Sequence, residues 1–381
     1  MILHRRLNLL ELLEKKSFFL LGPRSTGKST LIHQQLEGKA WIIDLLGSDD
    51  YVRLSARPQD LEDIASAHPQ YPVIVIDEIQ KLPDLLDEVH RLIEKKRLKF
   101  LLTGSSARKL KGGKFNLLAG RAWVAHLYPL SWSEIQDFDL NRYLRYGGLP
   151  QVYTSKYPDE ELRAYARTYL QEEIRAEALV RKVPAFSRFL KVAALTSGQL
   201  LNFTEIANDA QVPPSTIREY YSVLEDTLMG TALPSWQDSK KRKAIQTAKF
   251  YFFDVGIANH LAGTRELDRN SNLYGAAFEH FIGMELRAYL SYMRSQDELR
   301  YWRSIHGQEV DYVIGDHAAI EVKSTERVSP KDKNGLKALA EEEVFKNFYL
   351  VSQDRTETAS QDIACLHWKT FLERLWAGKI V

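Results

Sequence analysis

Glycines, a lysine and a hydroxyl at fixed spacing are what a chain needs to wrap a triphosphate. Residues Gly22-Pro23-Arg24-Ser25-Thr26-Gly27-Lys28-Ser29 have that spacing without a mismatch. Gly22 and Gly27 let the backbone turn and approach an anion, so that successive N–H groups point inward. Lys28 brings positive charge to the β- and γ-phosphates, and the Ser29 hydroxyl can ligate Mg²⁺. An apolar run, Phe18 to Leu21, predicts a buried strand before the loop. A helix over Ser29–Leu36 would aim the positive end of its dipole at the same spot, and the ATP-binding set runs through Thr30. The alternative is a glycine-rich turn that binds nothing.

Two further strand ends add chemistry to the loop. Val73-Ile74-Val75-Ile76 is an apolar β-run closed by Asp77 and Glu78, at the carboxyl edge where α/β folds bind ligands. Asp77 would hold Mg²⁺ through water and Glu78 would polarise the attacking water. Leu101-Leu102-Thr103-Gly104-Ser105-Ser106 ends a second strand in hydroxyls, and Thr103 is the candidate to sense the γ-phosphate.

A third constellation lies near the other end of the chain. Asp311 and Glu321-Val322-Lys323 have the form D-x₉-E-x-K across two predicted strands. Strand alternation allows Asp311, Glu321 and Lys323 to share one face. Two carboxylates there would hold Mg²⁺, with Lys323 orienting or deprotonating water for attack on a phosphodiester. Exposed acid-to-lysine pairs in hairpins give the same pattern without chemistry.

The elements that must position these residues follow from periodicity. Strands predicted at Ala40–Asp44, Val73–Ile76, Lys99–Thr103 and Ala122–Leu127 alternate with helices, among them Leu82–Lys95 with Leu85, Leu86, Val89 and Leu92 on one face. That alternation implies a parallel sheet covered on both sides. Ser131–Val180 reads as helical, broken by a turn at Gly147-Gly148-Leu149-Pro150, with a core stripe at Leu162, Tyr165, Ala166, Tyr169 and Leu170. From about Ala185 the pattern resembles a winged helix-turn-helix: Thr204–Ala210, a turn at Gln211–Pro214, then Ser215–Leu228 with Ile217, Tyr221, Leu224 and Leu228 inward. Its second helix offers Arg218 outward but also Glu219, Glu225 and Asp226, which is poor for base reading. The run Lys240-Lys241-Arg242-Lys243 sits where a wing would project and would contact DNA phosphates without regard to sequence; a solvated loop is the alternative. Lys249–Gly256 reads as a buried strand and turn with no chemistry assigned.

The final third is predicted as helix (Leu273–Tyr292), strand (Leu299–Arg303), the two motif strands, helix (Lys333–Val344) and strand (Phe348–Ser352). This order resembles the restriction-endonuclease-like PD-(D/E)XK fold. By that resemblance the opening helix carries one more acid, and Glu279 matches its position.

Composition places limits around these readings. With 381 residues, 44% hydrophobic and 27% charged, the chain has the make-up of a globular protein of two or three domains. A net charge of +2 leaves any nucleic-acid contact to a local patch. The single cysteine, Cys365, excludes an intrachain disulfide and a cysteine metal cluster, and fits a reducing compartment. The first sixteen residues lack the continuous apolar core of a signal peptide, and no apolar run approaches the ~18 residues of a membrane span. A cytoplasmic location without membrane contact is expected.

Taken together, the phosphate loop, the segment Val73–Gln80, the Leu101–Ser106 strand end, the stretch Leu117–Ile135 and Tyr143–Pro150 resemble one family. These are bacterial and archaeal AAA-type ATPases with a carboxyl-terminal domain of unknown function, related to the archaeal-type signalling ATPases. The resemblance implies a candidate arginine finger at Arg121, which would reach a neighbouring copy's nucleotide and so require a homo-oligomer; a surface arginine paired with a carboxylate is the alternative. The expected fold is α/β: a phosphate-loop core over 1–131, a helical segment over 132–184, a winged-helix-like region over 185–265 and a nuclease-like α/β domain over 271–381. The expected function is a Mg²⁺-dependent ATPase acting on DNA, cleaving or remodelling it. A switch that uses ATP to gate a protein partner, with a silent nuclease-like domain, is the alternative.

Overall fold

The computed structural model describes residues 3–106, 118–169, 174, 183–360 and 362–381. The chain divides into two compact units, Met1–Leu130 with Asp226–Met229, and Ser131–Glu225 with Gly230–Val381. The expected helical, winged-helix-like and nuclease-like segments fall in the second unit, apart from Asp226–Met229.

The first unit runs α1 (Leu9–Lys15), β1 (Ser17–Leu21), α2 (Lys28–Leu36), β2 (Trp41–Asp44), α3 (Ser48–Ala56), α4 (Asp60–Ala67), β3 (Val73–Asp77), α5 (Leu85–Lys96), β4 (Lys99–Gly104) and β5 (Ala122–His126). The sheet order is β2-β3-β4-β1-β5, and every pairing is parallel. Strands β1 and β3 are buried along their whole length, which is why they read as unbroken apolar runs rather than alternating ones. Leu85, Leu86, Val89 and Leu92 of α5 pack with Ile76, Phe100 and Leu102 in one core. The helix begins at Leu85 rather than at Leu82, because a 3₁₀ turn at Ile79–Lys81 and then Pro83 precede it.

The second unit opens with helices α6 (Leu140–Tyr146), α7 (Pro150–Thr154), α8 (Pro158–Thr168), α9 (Val183–Leu195), α10 (Phe203–Ala210) and α11 (Pro214–Asp226). Leu162, Tyr165 and Tyr169 are buried as the stripe predicts, while Leu170 and the rest of that helical reading to Val180, Ile174 excepted, lie outside the described residues. Ile217, Tyr221 and Leu224 face inward on α11. Leu228 does not. It lies beyond the helix in a left-handed conformation (φ 59°) and packs against the first unit's core.

After α11 come β6 (Gly230–Leu233), β7 (Lys249–Phe252), α12 (Val255–Ala262), α13 (Asn272–Tyr292), β8 (Leu299–Arg303), β9 (Glu309–Ile314), β10 (Ala318–Lys323), α14 (Asn334–Ala340), β11 (Asn347–Ser352), β12 (Thr358–Ser360), β13 (Ile363–His367) and α15 (Trp368–Trp376). Strands β6 and β7 form an antiparallel pair, and the remaining strands form a sheet of order β12-β13-β11-β10-β9-β8. Within it β10, β11 and β13 run parallel, with antiparallel strands at both edges. The loop between β6 and β7 does not project as a wing. Ser235 and Ala244 bridge to Tyr301 and Ser304, so the loop lies along β8.

The segment left without chemistry, Lys249–Gly256, locks the Gly147–Pro150 turn. Asp254 caps α12 by accepting from Ile257 N at 3.0 Å and also accepts from Gly148 N at 2.7 Å. Gly147 has φ +77°, and a Cβ there would stand 2.0 Å from Asp254 Oδ1, so the turn admits no side chain. Burial pushes the Asp254 carboxyl up to about 6, against the hydrogen bonds from Gly148, Ile257 and Gly256.

His280 of α13 donates from Nε2 to the Phe252 carbonyl at 2.7 Å. Burial pulls its pKa from 6.5 down to about 4. Between those values the unfolded chain takes up a proton that the folded chain refuses, so this residue's contribution falls as the pH falls through that window. His280→Gln keeps a donor and removes the titration. Thermal melts from pH 6.5 to 4.5 should therefore show the wild type losing, relative to the variant, on the order of 2 kcal/mol. Parallel melting curves at all pH values would contradict this assignment.

Candidate active sites

The phosphate loop joins β1 to α2. Its entry is tight: a Cβ on Gly22 would stand 2.5 Å from Leu127 O, so only glycine fits. At its exit Gly27 adopts φ +92° as the residue before α2, and Ser25 is also left-handed at φ 63°. Lys28 is buried, and its ammonium donates to Gly22 O (2.7 Å) and Pro23 O (3.1 Å), carbonyls of the loop itself. Thr26 Oγ1 donates to Pro23 O at 2.9 Å. Arg24, Ser25, Ser29 and Thr30 are exposed. Arg5, which the sequence gave no reason to select, donates to Thr26 O at 2.7 Å and to Tyr128 O at 2.5 Å, pinning the loop from outside.

The acids of β3 come to this loop. Asp77 Oδ2 accepts from Ser29 Oγ at 2.7 Å, and Asp77 Oδ1 accepts from Thr103 Oγ1. Thr103 in turn accepts from Glu78 N at 2.9 Å, so its hydroxyl is spent ordering both acids. Glu78 is left-handed (φ 60°), a conformation a glutamate holds only under outside constraint. Its carboxylate accepts from Gln80 Nε2, and Gln80 Nε2 also reaches Ser105 Oγ at 3.1 Å. Gln80 is a buried member of this set that sequence reasoning missed; a glutamine two residues past the acids was its only signal. Arg121 pairs with Glu94 of α5 at 2.5 Å.

The second unit brings Asp311, Glu321 and Lys323 together. The β9–β10 register, extended by one place, sets Glu321 opposite Asp311. Asp311 Oδ2 accepts from Val322 N at 2.8 Å, and Glu321 Oε1 accepts from Lys323 Nζ at 2.5 Å. Glu321 Oε2 is buried with no hydrogen-bond partner. Burial, reinforced by the charge of Glu279, pushes Asp311 up to about 7. Burial and then the neighbouring Asp311 raise Glu321 well above the usual carboxylate range. Burial opposes the charge of Lys323, but Asp311 and Glu321 outweigh it and hold the ammonium charged.

Glu279 is close in charge but does not join them as a third ligand. Its carboxylate accepts from Tyr251 Oη at 2.5 Å and lies 3.4 Å from Lys249 Nζ. Lys249, 4% exposed, also pairs with Glu309 at 2.7 Å. Among the described residues no group of three or more His, Cys, Asp and Glu side chains could hold a metal ion. Lys249 was legible in principle, as a lysine opening an otherwise aromatic strand, where a buried cation requires an acid.

The basic run lies against the acidic residues Glu341–Glu343. Backbone N–H groups of Lys240, Lys241 and Arg242 donate to the Glu342 carboxylate at 2.7, 2.8 and 3.1 Å. Lys241 Nζ pairs with Glu343 at 3.3 Å and Arg242 with Glu341 at 2.8 Å. An acidic run of the same unit thus answers the basic one. Arg218 is exposed, with its guanidinium 5.1 Å from the centre of the Phe203 ring.

Family models divide the chain into three segments. Residues 14–136 match the model of an AAA domain, while 137–268 and 274–371 match two models each described only as a domain of unknown function. An uncharacterized protein of Mycobacterium tuberculosis is 28% identical over 320 residues, covering 80% of this chain and 70% of that protein. Another, from Haemophilus influenzae, is 26% identical over 231 residues, 56% of each chain. Among solved structures, the Aeropyrum pernix ORC1 protein in complex with DNA is 14% identical, with a TM-score of 0.28 over 69% of this chain and 93% of that one. The replication initiator DnaA bound to AMPPCP and single-stranded DNA is 14% identical, with a TM-score of 0.31 over 59% and 90%. Likenesses that faint carry no functional weight. No helix among the described residues is long and apolar enough to cross a membrane. The protein is a mixed α/β chain whose first unit holds an AAA-like parallel-sheet domain with a phosphate loop, and whose second unit carries a separate sheet domain.

Proposed function

We propose that the first unit hydrolyses ATP with Mg²⁺ and that the second unit acts on DNA. The observation that carries the first half is the sharing of Asp77 between Ser29 and Thr103, which draws the phosphate loop, β3 and β4 to one point. Ser29 and Asp77 are oxygen donors of the kind Mg²⁺ takes, and they fit it as a pair beside the left-handed Gly27. Bound there, Mg²⁺ would neutralise charge on the β- and γ-phosphates. Lys28 would exchange its two loop carbonyls for those phosphates. Glu78, released from Gln80, would take the proton of the attacking water. Arg121 would have to leave Glu94 to act as a finger on a neighbouring copy.

For the second half, Asp311, Glu321 and Lys323 support phosphodiester chemistry. The unpartnered, buried Glu321 Oε2 is the feature a divalent cation would satisfy, with Asp311 as second donor. Such a cation would stabilise charge on the scissile phosphate. Lys323 would orient the attacking water. A second reading, an ATP-gated switch with a silent nuclease-like domain, draws support from Lys249, which already neutralises Glu279 and Glu309.

Three substitutions test these readings. Lys28→Ala should lower ATP turnover by at least about a hundredfold, read as phosphate release. Glu78→Gln should retain nucleotide binding by calorimetry while turnover falls similarly. Near-wild-type turnover in either variant would overturn the first half. Lys323→Ala should leave turnover within about twofold and abolish plasmid nicking in Mg²⁺ or Mn²⁺. A wild-type protein that hydrolyses ATP but nicks no DNA under any of these conditions selects the switch.

A further inference from the structure

A groove of 1340 Å³ in the second unit contains none of the residues singled out from the sequence. That volume exceeds the roughly 300–1,000 Å³ of small-molecule pockets, so its size suits a polymer. It lies where parallel strands end: Gln353 and Asp354 follow β11, His367 closes β13, and the loop from Glu326 to Pro330 comes after β10. The carboxyl edge of such strands is where α/β sheets take ligands.

Six lysines and arginines line the groove against three acids. Two of those acids are already engaged. Asp354 accepts from Val328 N at 2.9 Å and Thr356 N at 2.8 Å, and Glu326 lies 3.7 Å from Arg269. Arg327, Lys337 and Arg355 are exposed, and none forms an ion pair among the described residues. This is the reverse of the Lys240–Lys243 run, whose backbone and two of whose side chains are held by Glu341–Glu343. Like charges gathered in a concave surface repel one another unless a polyanion neutralises them.

One helix connects the groove with the acid pair. Gly335 of α14 packs against that site, where a Cβ would lie 3.5 Å from Glu321 Oε2 and 1.9 Å from Glu309 O, and Lys337, two residues on along the same helix, lines the groove.

We propose that this groove binds the sugar–phosphate backbone of DNA, with Arg327, Lys337 and Arg355 as its phosphate contacts. The proposal rests on the reading that the second unit acts on DNA and assigns the surface that does so. Contacts of this kind position a strand without reading its sequence and weaken steeply with salt.

The test is fluorescence anisotropy of labelled duplex and single-stranded oligonucleotides with the full chain, titrated over salt. The triple variant Arg327→Ala, Lys337→Ala, Arg355→Ala should bind about tenfold or more weakly, and its slope of log K against log salt should drop by about 2 to 3. ATP turnover, which uses none of these side chains, should stay unchanged, and a thermal melt that overlays the wild type's reports that the second unit is folded. Wild-type affinity and slope in the triple variant, with loss on Lys240→Ala, Lys243→Ala instead, would overturn the groove and leave DNA action standing. No binding of either oligonucleotide by the wild type would overturn both.

Discussion

A carboxylate taken out of water must be met by donors or by positive charge, and that requirement governs each unit in turn. In the first unit Asp77 meets it with two hydroxyls, Ser29 from the phosphate loop and Thr103 from β4, so one side chain fixes three segments. In the second, Asp254 meets it with the backbone N–H groups of Gly148, inside the Gly147–Pro150 turn, and of Ile257, at the start of α12. Glu285 meets it with Trp132 N at 2.7 Å and Trp376 Nε1 at 2.8 Å, joining α13 to the start and end of the unit. Removing any of these donors would strand a buried charge rather than merely lose a contact, a cost of a different order from an exposed ion pair.

Set beside these satisfied acids, Glu321 is the exception. One oxygen takes the Lys323 ammonium and the other has nothing, although the residue is 6% exposed. Asp254 and Asp311 both have raised pKa values, but for different reasons. Asp254 is alone and its shift comes from burial, whereas Asp311 adds the charge of Glu279 to burial. Asp254 is thus an isolated acid and Asp311 a crowded one. Asp77 belongs to neither group, since its hydroxyl partners are also the groups a nucleotide site needs.

The sequence was most readable where burial imposes a single pattern. The apolar runs of β1, β3 and β4 and the four-residue stripe of α5 are dictated by a sheet covered on both faces, and their bounds moved by one residue in the strands and by three at the start of α5. Asp311, Glu321 and Lys323 were legible because a two-residue period and a short hairpin bring them together locally. What escaped is long-range. Lys249 meets Glu279 and Glu309 across a gap of thirty or more residues, and no local period encodes that meeting. The pairing of Lys240–Arg242 with Glu341–Glu343 spans about a hundred residues, so the run looked like a free patch. Strand β13 and helix α15 went unnoticed because Ile363–His367 is short and its apolar and polar positions do not alternate cleanly.

The charges of the second unit bear on how an acid cluster can face a phosphate at all. Glu279, Glu309, Asp311 and Glu321 would together repel a polyanion. Lys249 and Arg303 answer Glu309, Lys249 also answers Glu279, and Lys323 answers Glu321. The remaining charge is lessened because Asp311 and Glu321 hold protons more tightly than isolated acids. The field that would draw in a phosphate backbone must come from cations outside the cluster, and Arg327, Lys337 and Arg355 are exposed cations of the same unit.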